Sequence, residues 1–271
     1  RCWLRAMLSQ WSGEERLHAN VLTPVLISGK QGLSKSTFCR LLMPDSLRHY
    51  FIDNLNLTAG SSPEKKLVKN GLINLDEFDK IKESQQATLK NLLQMVNVPV
   101  FRGKRLGWVN ESRLASFIAT TNVYQVLIDS TGSRRFLCVE VLKPISEEPL
   151  EHKQIYAQLK EELKSGAPDY LNKEEEKALQ KHNKAYYRQS LLEDVFHCCF
   201  RHPLETEKGI WLTTAEIFQV MRKFNSAALK EVSARQLGLK LSAMGYMAKH
   251  TSFGNRYYVF NLSAEKKEVS L

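Results

Sequence analysis

The feature that most constrains this chain is the run Val25-Leu26-Ile27-Ser28-Gly29-Lys30-Gln31-Gly32-Leu33-Ser34-Lys35-Ser36. A short apolar, β-branched stretch passes through a glycine-containing turn into Ser36–Leu42, which reads as a helix stopped before Pro44. Strand, glycine-containing loop and helix form the opening of a phosphate-binding unit. Against the pattern G-x-x-x-x-G-K-[ST], Gly29, Lys35 and Ser36 match, and Ser34 stands where the second glycine is expected. Backbone N–H groups along Gly29, Gln31, Gly32, Leu33 and Ser34, continuing into Thr37, would cradle phosphates at the positive end of the helix. Lys35 would neutralise β- and γ-phosphate charge and the Ser36 hydroxyl would ligate Mg²⁺. The plain alternative is a glycine turn followed by a solvated lysine. Ser34 also adds a side chain where the backbone approaches the phosphates closely and where a φ that a Cβ disfavours can be needed, which puts catalytic rate in question more than ATP binding.

Further strands extend the pattern. Leu72-Ile73-Asn74-Leu75 ends in Asp76-Glu77, which lies 41 residues beyond Lys35. That spacing leaves room for a helix and an intervening strand. Asp76 would hold Mg²⁺ through water, and Glu77 would orient or deprotonate the attacking water. A helix is expected over 85–96. The apolar run 114–122 ends in Asn122, whose amide at a strand tip suits a water or a γ-phosphate oxygen, although taken alone it reads better as an Asn that caps the strand end. The segment 129–141 brings Arg134 and Arg135 to the mouth of another strand, where their planar donor forks suit phosphate. Strands alternating with helices predict an α/β fold, a P-loop parallel sheet flanked by helices, over residues 1–142.

Residues 143–185 read as a linker with one amphipathic helix (154–163), since they contain Pro144, Pro149, Pro168 and an acidic run at 174–176. Residues 186–271 predict helices near 190–200, 213–224 and 233–245, followed by two β-like runs. Three helices and a basic hairpin form a small α+β domain of winged-helix order. There Arg235, Gln236 and Lys240 would face a duplex groove, and Lys249 and Arg256 would lie on the wing; a protein-docking module is the alternative, since the third helix is not very basic. Trp211, Ile217, Phe218, Met221, Leu237, Leu241, Tyr257 and Val259 are read as core.

Charge supports a polyanionic partner. The chain has 39 Lys and Arg against 29 Asp and Glu, a net +10 in 271 residues. Five cysteines without disulfide spacing suit a reducing cytoplasm. The group His197, Cys198, Cys199 and His202 lacks a second ligand pair at zinc-site spacing and reads as buried structural thiols. No apolar run is long enough to span a membrane, and the absence of an initiator Met suggests a fragment of a longer protein.

The four motifs in order, Ser28–Phe38, Leu72–Lys80, Ser116–Asn122 and Asp129–Phe136, resemble the virulence-associated E family of bacterial mobile-element proteins. Those are P-loop ATPases similar to superfamily III helicases and the AAA+ class. The tail resembles the carboxy-terminal domain found with them in Bacteroides-type bacteria. The resemblance implies ATP, Mg²⁺, a helicase-like motor role in mobile-element or phage-type replication, and an upstream primase-type domain. It puts Lys35 and Ser36 at Walker A, Asp76 and Glu77 at Walker B, and Asn122 at the sensor position. Arg134 or Arg135 falls where an arginine reaches a neighbour's nucleotide, which implies a homo-oligomeric ring or hexamer.

In ring helicases a basic hairpin in the interval occupied here by Val100–Arg113 faces the channel. Arg102, Lys104 and Arg105, with Trp108, would hold single-stranded DNA. A solvated hairpin with Trp108 in the core is the alternative, and Arg113 could equally contact nucleotide. Two other functions stay open: a nucleotide switch that loads partners without translocating, and a DNA-binding regulator with a degenerate P-loop.

Overall fold

Parallel pairing organises the first half of the chain. The structure is a computed structural model and describes residues 1–13, 18–58, 61–128, 133–188, 191–204, 206–229, 232–252 and 254–262. The chain divides into two units, 1–188 and 189–271, each with its own core. In the first unit the elements are α1 (Cys2–Trp11), β1 (Thr23–Ile27), α2 (Lys35–Leu41), β2 (Phe51–Asp53), α3 (Glu64–Leu67), β3 (Leu72–Leu75) and α4 (Glu83–Gln94). They continue with β4 (Asn97–Phe101), β5 (Trp108–Ser112), β6 (Ser116–Thr121), β7 (Phe136–Glu140), α5 (His152–Lys164) and α6 (Lys173–Asn183).

The sheet runs β2-β3-β6-β1-β7 with every pairing parallel. Strands β1, β3 and β6 are buried along their whole length, as strands covered on both faces must be; they are largely apolar, with Thr23, Asn74, Ser116, Thr120 and Thr121 as their buried polar residues. Strand β1 starts two residues before the apolar run, at Thr23. Pro24 is tolerated because it lies next to the strand's first residue, and the β1–β6 register begins only at Val25. The carboxyl ends of β1, β3 and β6 come together at one edge of the sheet, which is where the motif residues lie.

The expected linker 143–185 belongs to the first unit. Tyr156 of α5 donates to Leu42 O at 2.8 Å, and Glu162 accepts from Arg5 of α1 at 2.8 Å. The acidic run 174–176 is the first turn of α6. Asn172 and Glu175 form a capping box there, and the negative charges face the positive helix end. Buried Asn183 closes α6 by donating to Ser133 O and Phe136 O at 2.8 and 2.7 Å. The first unit therefore runs to Arg188 and takes in residues 143–185, while the second begins at Gln189, close to the expected 186.

The second unit contains α7 (Leu191–Cys199), β8 (Phe200–Arg201), β9 (Ile210–Thr213), α8 (Thr214–Phe224), α9 (Ala234–Ala243), β10 (Ala248–Thr251) and β11 (Gly254–Asn261). It is a small α+β unit in which β11 pairs antiparallel with β10, β9 and β8. Phe196, Phe200, Ile217, Met221, Leu237, Leu241, Tyr257 and Val259 form its core. Thr213 and Ser233 cap α8 and α9, each with a reciprocal bond to Glu216 or Gln236. Cys199 is buried, whereas Cys198 is exposed because adjacent helical positions face different ways. No helix among the described residues is long and apolar enough to cross a membrane.

Candidate functional site

The loop after β1 turns beneath the carboxyl edge of the sheet and enters α2 through Ser34. Gly32 has φ +75°, and Ser34 has φ 59° and ψ 26°, a left-handed conformation that costs a residue with a Cβ. Gly29 is closely approached by a side chain: a Cβ there would stand 2.9 Å from Cε2 of Tyr124, so the tyrosine ring would have to shift. The Tyr124 hydroxyl in turn donates to Glu140 at 2.9 Å.

A cavity of about 370 Å³ opens at this loop. Its walls are the loop residues Gln31 to Thr37, Asp76 and Glu77 after β3, and Thr120, Thr121 and Asn122 at the end of β6. Three motifs far apart in sequence thus share one cavity. Lys35 is 8% exposed, and its Nζ donates to Ser28 Oγ and, at 2.8 Å, to Asn122 Oδ1. Burial pushes the Lys35 pKa down, opposed by the charge of Asp76. Ser36 Oγ donates to Asp76 Oδ1 at 3.1 Å, and the same carboxylate oxygen accepts from Thr120. A hydroxyl and a carboxylate facing one cavity are hard oxygen donors of the kind that suit Mg²⁺ alongside phosphate oxygens. Glu77 borders the cavity but is exposed, at φ 51°, with its carboxylate held by Lys80 at 2.7 Å.

Arg134 and Arg135 do not line this cavity. Arg134 lies 3.5 Å from Glu176 of α6, and Arg135 is half-buried beside it. Residues 129–132 of the same motif lie outside the described residues. Arg113 is placed elsewhere than expected. It is 2% exposed and donates to the carbonyls of Leu92, Leu93, Ala115 and Asn20, closing the end of α4 against β6. Its guanidinium is unavailable to a nucleotide because these carbonyls already occupy it.

β4 and β5 form an antiparallel hairpin whose tip turns through Gly103 and Gly107, both at positive φ. Trp108 is 73% exposed and pairs with Phe101 across the strands, with ring centroids 5.6 Å apart, so it is not core. Lys104 and Arg105 are exposed, while Arg102 forms a bidentate pair with Glu111. In the second unit Arg235 and Lys249 are exposed, and Arg256 is half-buried. Lys240 departs from expectation: its ammonium binds Glu193 of α7 at 2.6 Å, so it points inward from the presumed reading face. The Gln236 amide is likewise used, as a cap on Ser233. Trp211, expected in the core, is 39% exposed.

Sequence reasoning missed Ser28, Thr120, Thr121, Asp79, Tyr124 and Glu147. Thr121 Oγ1 donates to Asp79 at 2.6 Å, and Ser34 Oγ donates to Glu147 at 2.6 Å. The hydroxyl doublet Thr120-Thr121 beside Asn122 was a readable signal, since it ends a strand whose tip faces the loop. Nothing local marks Glu147. Among the described residues no group of three or more His, Cys, Asp or Glu could hold a metal ion.

Comparison with solved structures finds the apo structure of NrS-1 C terminal region (305-718) at a TM-score of 0.43 and 13% identity, covering 96% of this chain and 70% of that one. An A form apo structure of the same region aligns at a TM-score of 0.42 and 14% identity, covering 96% and 69%. No curated protein matches the chain. A domain of unknown function from B. theta (DUF3874) matches residues 189–259, the second unit. The virulence-associated protein E-like domain matches residues 20–188, which contain the whole loop cavity and its sheet, and the chain belongs to that family.

Proposed function

We propose that the chain is an ATP-hydrolysing, DNA-engaging module of a mobile-element or phage-type replication protein. The observation that carries this reading is the shared cavity: Lys35, Ser36, Asp76, Glu77 and Asn122 arrive from three sheet-edge loops and face one space at a helix N-terminus. Phosphate oxygens entering it take over the Lys35 ammonium from Ser28 and Asn122, and the loop N–H groups close on them. Ser36 and Asp76 are the residues that would hold Mg²⁺. A bound Mg²⁺ supplies neutralising charge to the phosphate oxygens. Glu77 exchanges Lys80 for the attacking water and orients it in line with the γ-phosphate, while Asn122 holds the water or a γ-oxygen. Arg134 or Arg135 serves the nucleotide of a neighbouring copy, so the active form is a homo-oligomeric ring. The exposed hairpin with Arg102, Lys104, Arg105 and Trp108 tracks single-stranded DNA. The second unit, with a helix, two short strands, two further helices and a hairpin in that order, supports reading it as a winged-helix-like module.

The test is ATP turnover of an oligomeric sample with and without single-stranded DNA, beside Lys35→Ala. DNA-stimulated turnover that Lys35→Ala abolishes is the expected result. Turnover insensitive to Lys35→Ala would remove the assignment.

A further inference from the structure

The second unit carries a sheet face that its helices leave open. In β11, Tyr257 and Val259 are 1% and 0% exposed and point into the core, so Arg256, Tyr258 and Phe260 lie on the opposite face. Register adds their neighbours to this face: Trp211 stands across from Tyr258, and Lys249 and Thr213 flank Arg256. Trp211 and Tyr258 pair with ring centroids 5.1 Å apart, and Gly209 N–H donates to the Tyr258 hydroxyl at 2.9 Å, which fixes that ring. Trp211 keeps 39% of its surface exposed, a large amount for a residue held so firmly from behind. Phe260 is closed off, because Arg201 covers its ring and is itself clamped by Glu207.

Charge on this face is arranged unfavourably for the unit alone. Lys249 and Arg256 are directly opposed on an antiparallel ladder, a placement that destabilises like charges. The Arg256 Nε is buried without a hydrogen-bond partner among the described residues. One carboxylate, Glu216, has its pKa lowered by the Thr213 N–H and hydroxyl, from which its Oε2 accepts, and by the nearby Arg256 charge, but no hydrogen bond joins it to Arg256 among the described residues. An anion bridging Lys249 and Arg256 beside an open indole would relieve the repulsion. The polymer that offers anions at short spacing and flat rings between them is a single-stranded nucleic acid. Duplex DNA presents base edges and hides the ring faces, so it cannot use the indole. The presumed reading helix α9 fits a groove less well, since Lys240 is spent on Glu193 and Leu239 is 67% exposed.

We propose that the β9–β11–β10 face of the second unit is a docking surface for single-stranded nucleic acid, with Trp211 stacking on a base and Lys249 and Arg256 holding backbone phosphate.

The experiment uses the full chain without nucleotide, so its outcome is separate from that of the ATPase reading. The hairpin is silenced by Arg102→Ala, Lys104→Ala, Arg105→Ala and Trp108→Ala, and binding of a labelled thymidine oligomer is followed by anisotropy across a salt series. Binding is expected to persist in this background. Adding Trp211→Ala should weaken it by roughly 5-fold to 150-fold, the loss of one stacked base, while Trp211→Phe retains most of it. Adding Lys249→Ala should lower the log–log salt slope by about 0.7. Melting curves identify any variant that fails to fold. Lys249→Glu, at an exposed position, keeps the test decisive if Trp211→Ala is lost, because it should nearly abolish binding. The proposal is overturned if the hairpin-silenced chain no longer binds, or if Trp211→Ala and Lys249→Glu both bind at its level. It is also overturned if an abasic oligomer of equal length binds as tightly.

Discussion

The hydroxyl of Ser34 donates a 2.6 Å hydrogen bond to Glu147, 113 positions further along the chain. The next turn of the same segment repeats the attachment through the backbone, with Ile145 N–H donating to Leu33 O at 3.2 Å. The phosphate loop is therefore tied to the strand exit after β7 at the one residue that departs from its sequence pattern.

That tie sets the outcome of Ser34→Gly. Glycine adopts φ 59° freely, whereas a residue with a Cβ held in a sparsely populated region loses about 1–3 kcal/mol. Ser34→Gly removes this cost together with the tether to Glu147. It should raise ATP affinity or turnover by a few-fold to about a hundred-fold, within that same energy range. Ser34→Ala loses the tether and keeps the backbone cost, so calorimetric titration of the two variants separates the contributions. Loss of activity in both Ser34→Gly and Ser34→Ala would instead make the hydroxyl necessary, either through its bond to Glu147 or as a ligand of the nucleotide, and Glu147→Gln separates the two.

Lys35→Ala and Glu77→Gln should fail differently. The first removes the buried ammonium that Ser28 and Asn122 hold at the cavity, the proposed counter-charge for phosphate, so both binding and turnover should be lost. The second keeps Ser36 and Asp76 intact and removes only the water-orienting group, so ATP should be bound and retained unhydrolysed. Filter retention of labelled ATP distinguishes them, and turnover at the parent rate in Glu77→Gln would exclude that residue as the base.

Arg134→Ala or Arg135→Ala should leave ATP binding near the parent level, since neither side chain lines the cavity. Hydrolysis should fall, by roughly 10³–10⁵ for an arginine that completes a neighbour's site. Mixing the affected variant with Lys35→Ala should recover part of the activity, because a mixed interface can assemble one whole site. Absence of recovery with both arginine variants would count against a shared site.

Acid should weaken the second unit through Glu207. Hydrogen bonds from the Arg201 guanidinium and the Leu204 N–H hold its carboxyl down to about 2. A carboxyl depressed on folding contributes stability that is present in full above its unfolded value. That contribution is lost as pH falls from about 4.5 toward about 2. Melting temperature of the second transition should decline over that window in the parent chain, and Glu207→Gln should flatten the decline.

The sequence by itself determined the sheet and the edge where its motifs meet. Largely apolar runs such as Leu72–Leu75 and Ser116–Thr121, which lack the alternation of a half-exposed strand, suit strands covered on both faces, and each is followed by the polar residue, Asp76 or Asn122, that faces the loop. Lys35, Ser36, Asp76, Glu77 and Asn122 were legible because their positions follow from where a strand stops. What the tertiary structure decided are the pairings that carry no local mark. Arg113 reads as one more cation of a basic hairpin, yet it is buried because backbone carbonyls from distant segments, among them Asn20, Leu92 and Ala115, converge on it. Lys240 has the helical spacing of a surface residue until Glu193 of another helix meets it. The acidic run 174–176 looks like a linker until Asn172 caps it and α6 packs against β7. Local sequence fixes which backbone conformation a segment favours and where an element ends. Whether a charge faces solvent, a partner or the interior depends on groups brought together across long stretches of chain, and only the folded arrangement sets those distances.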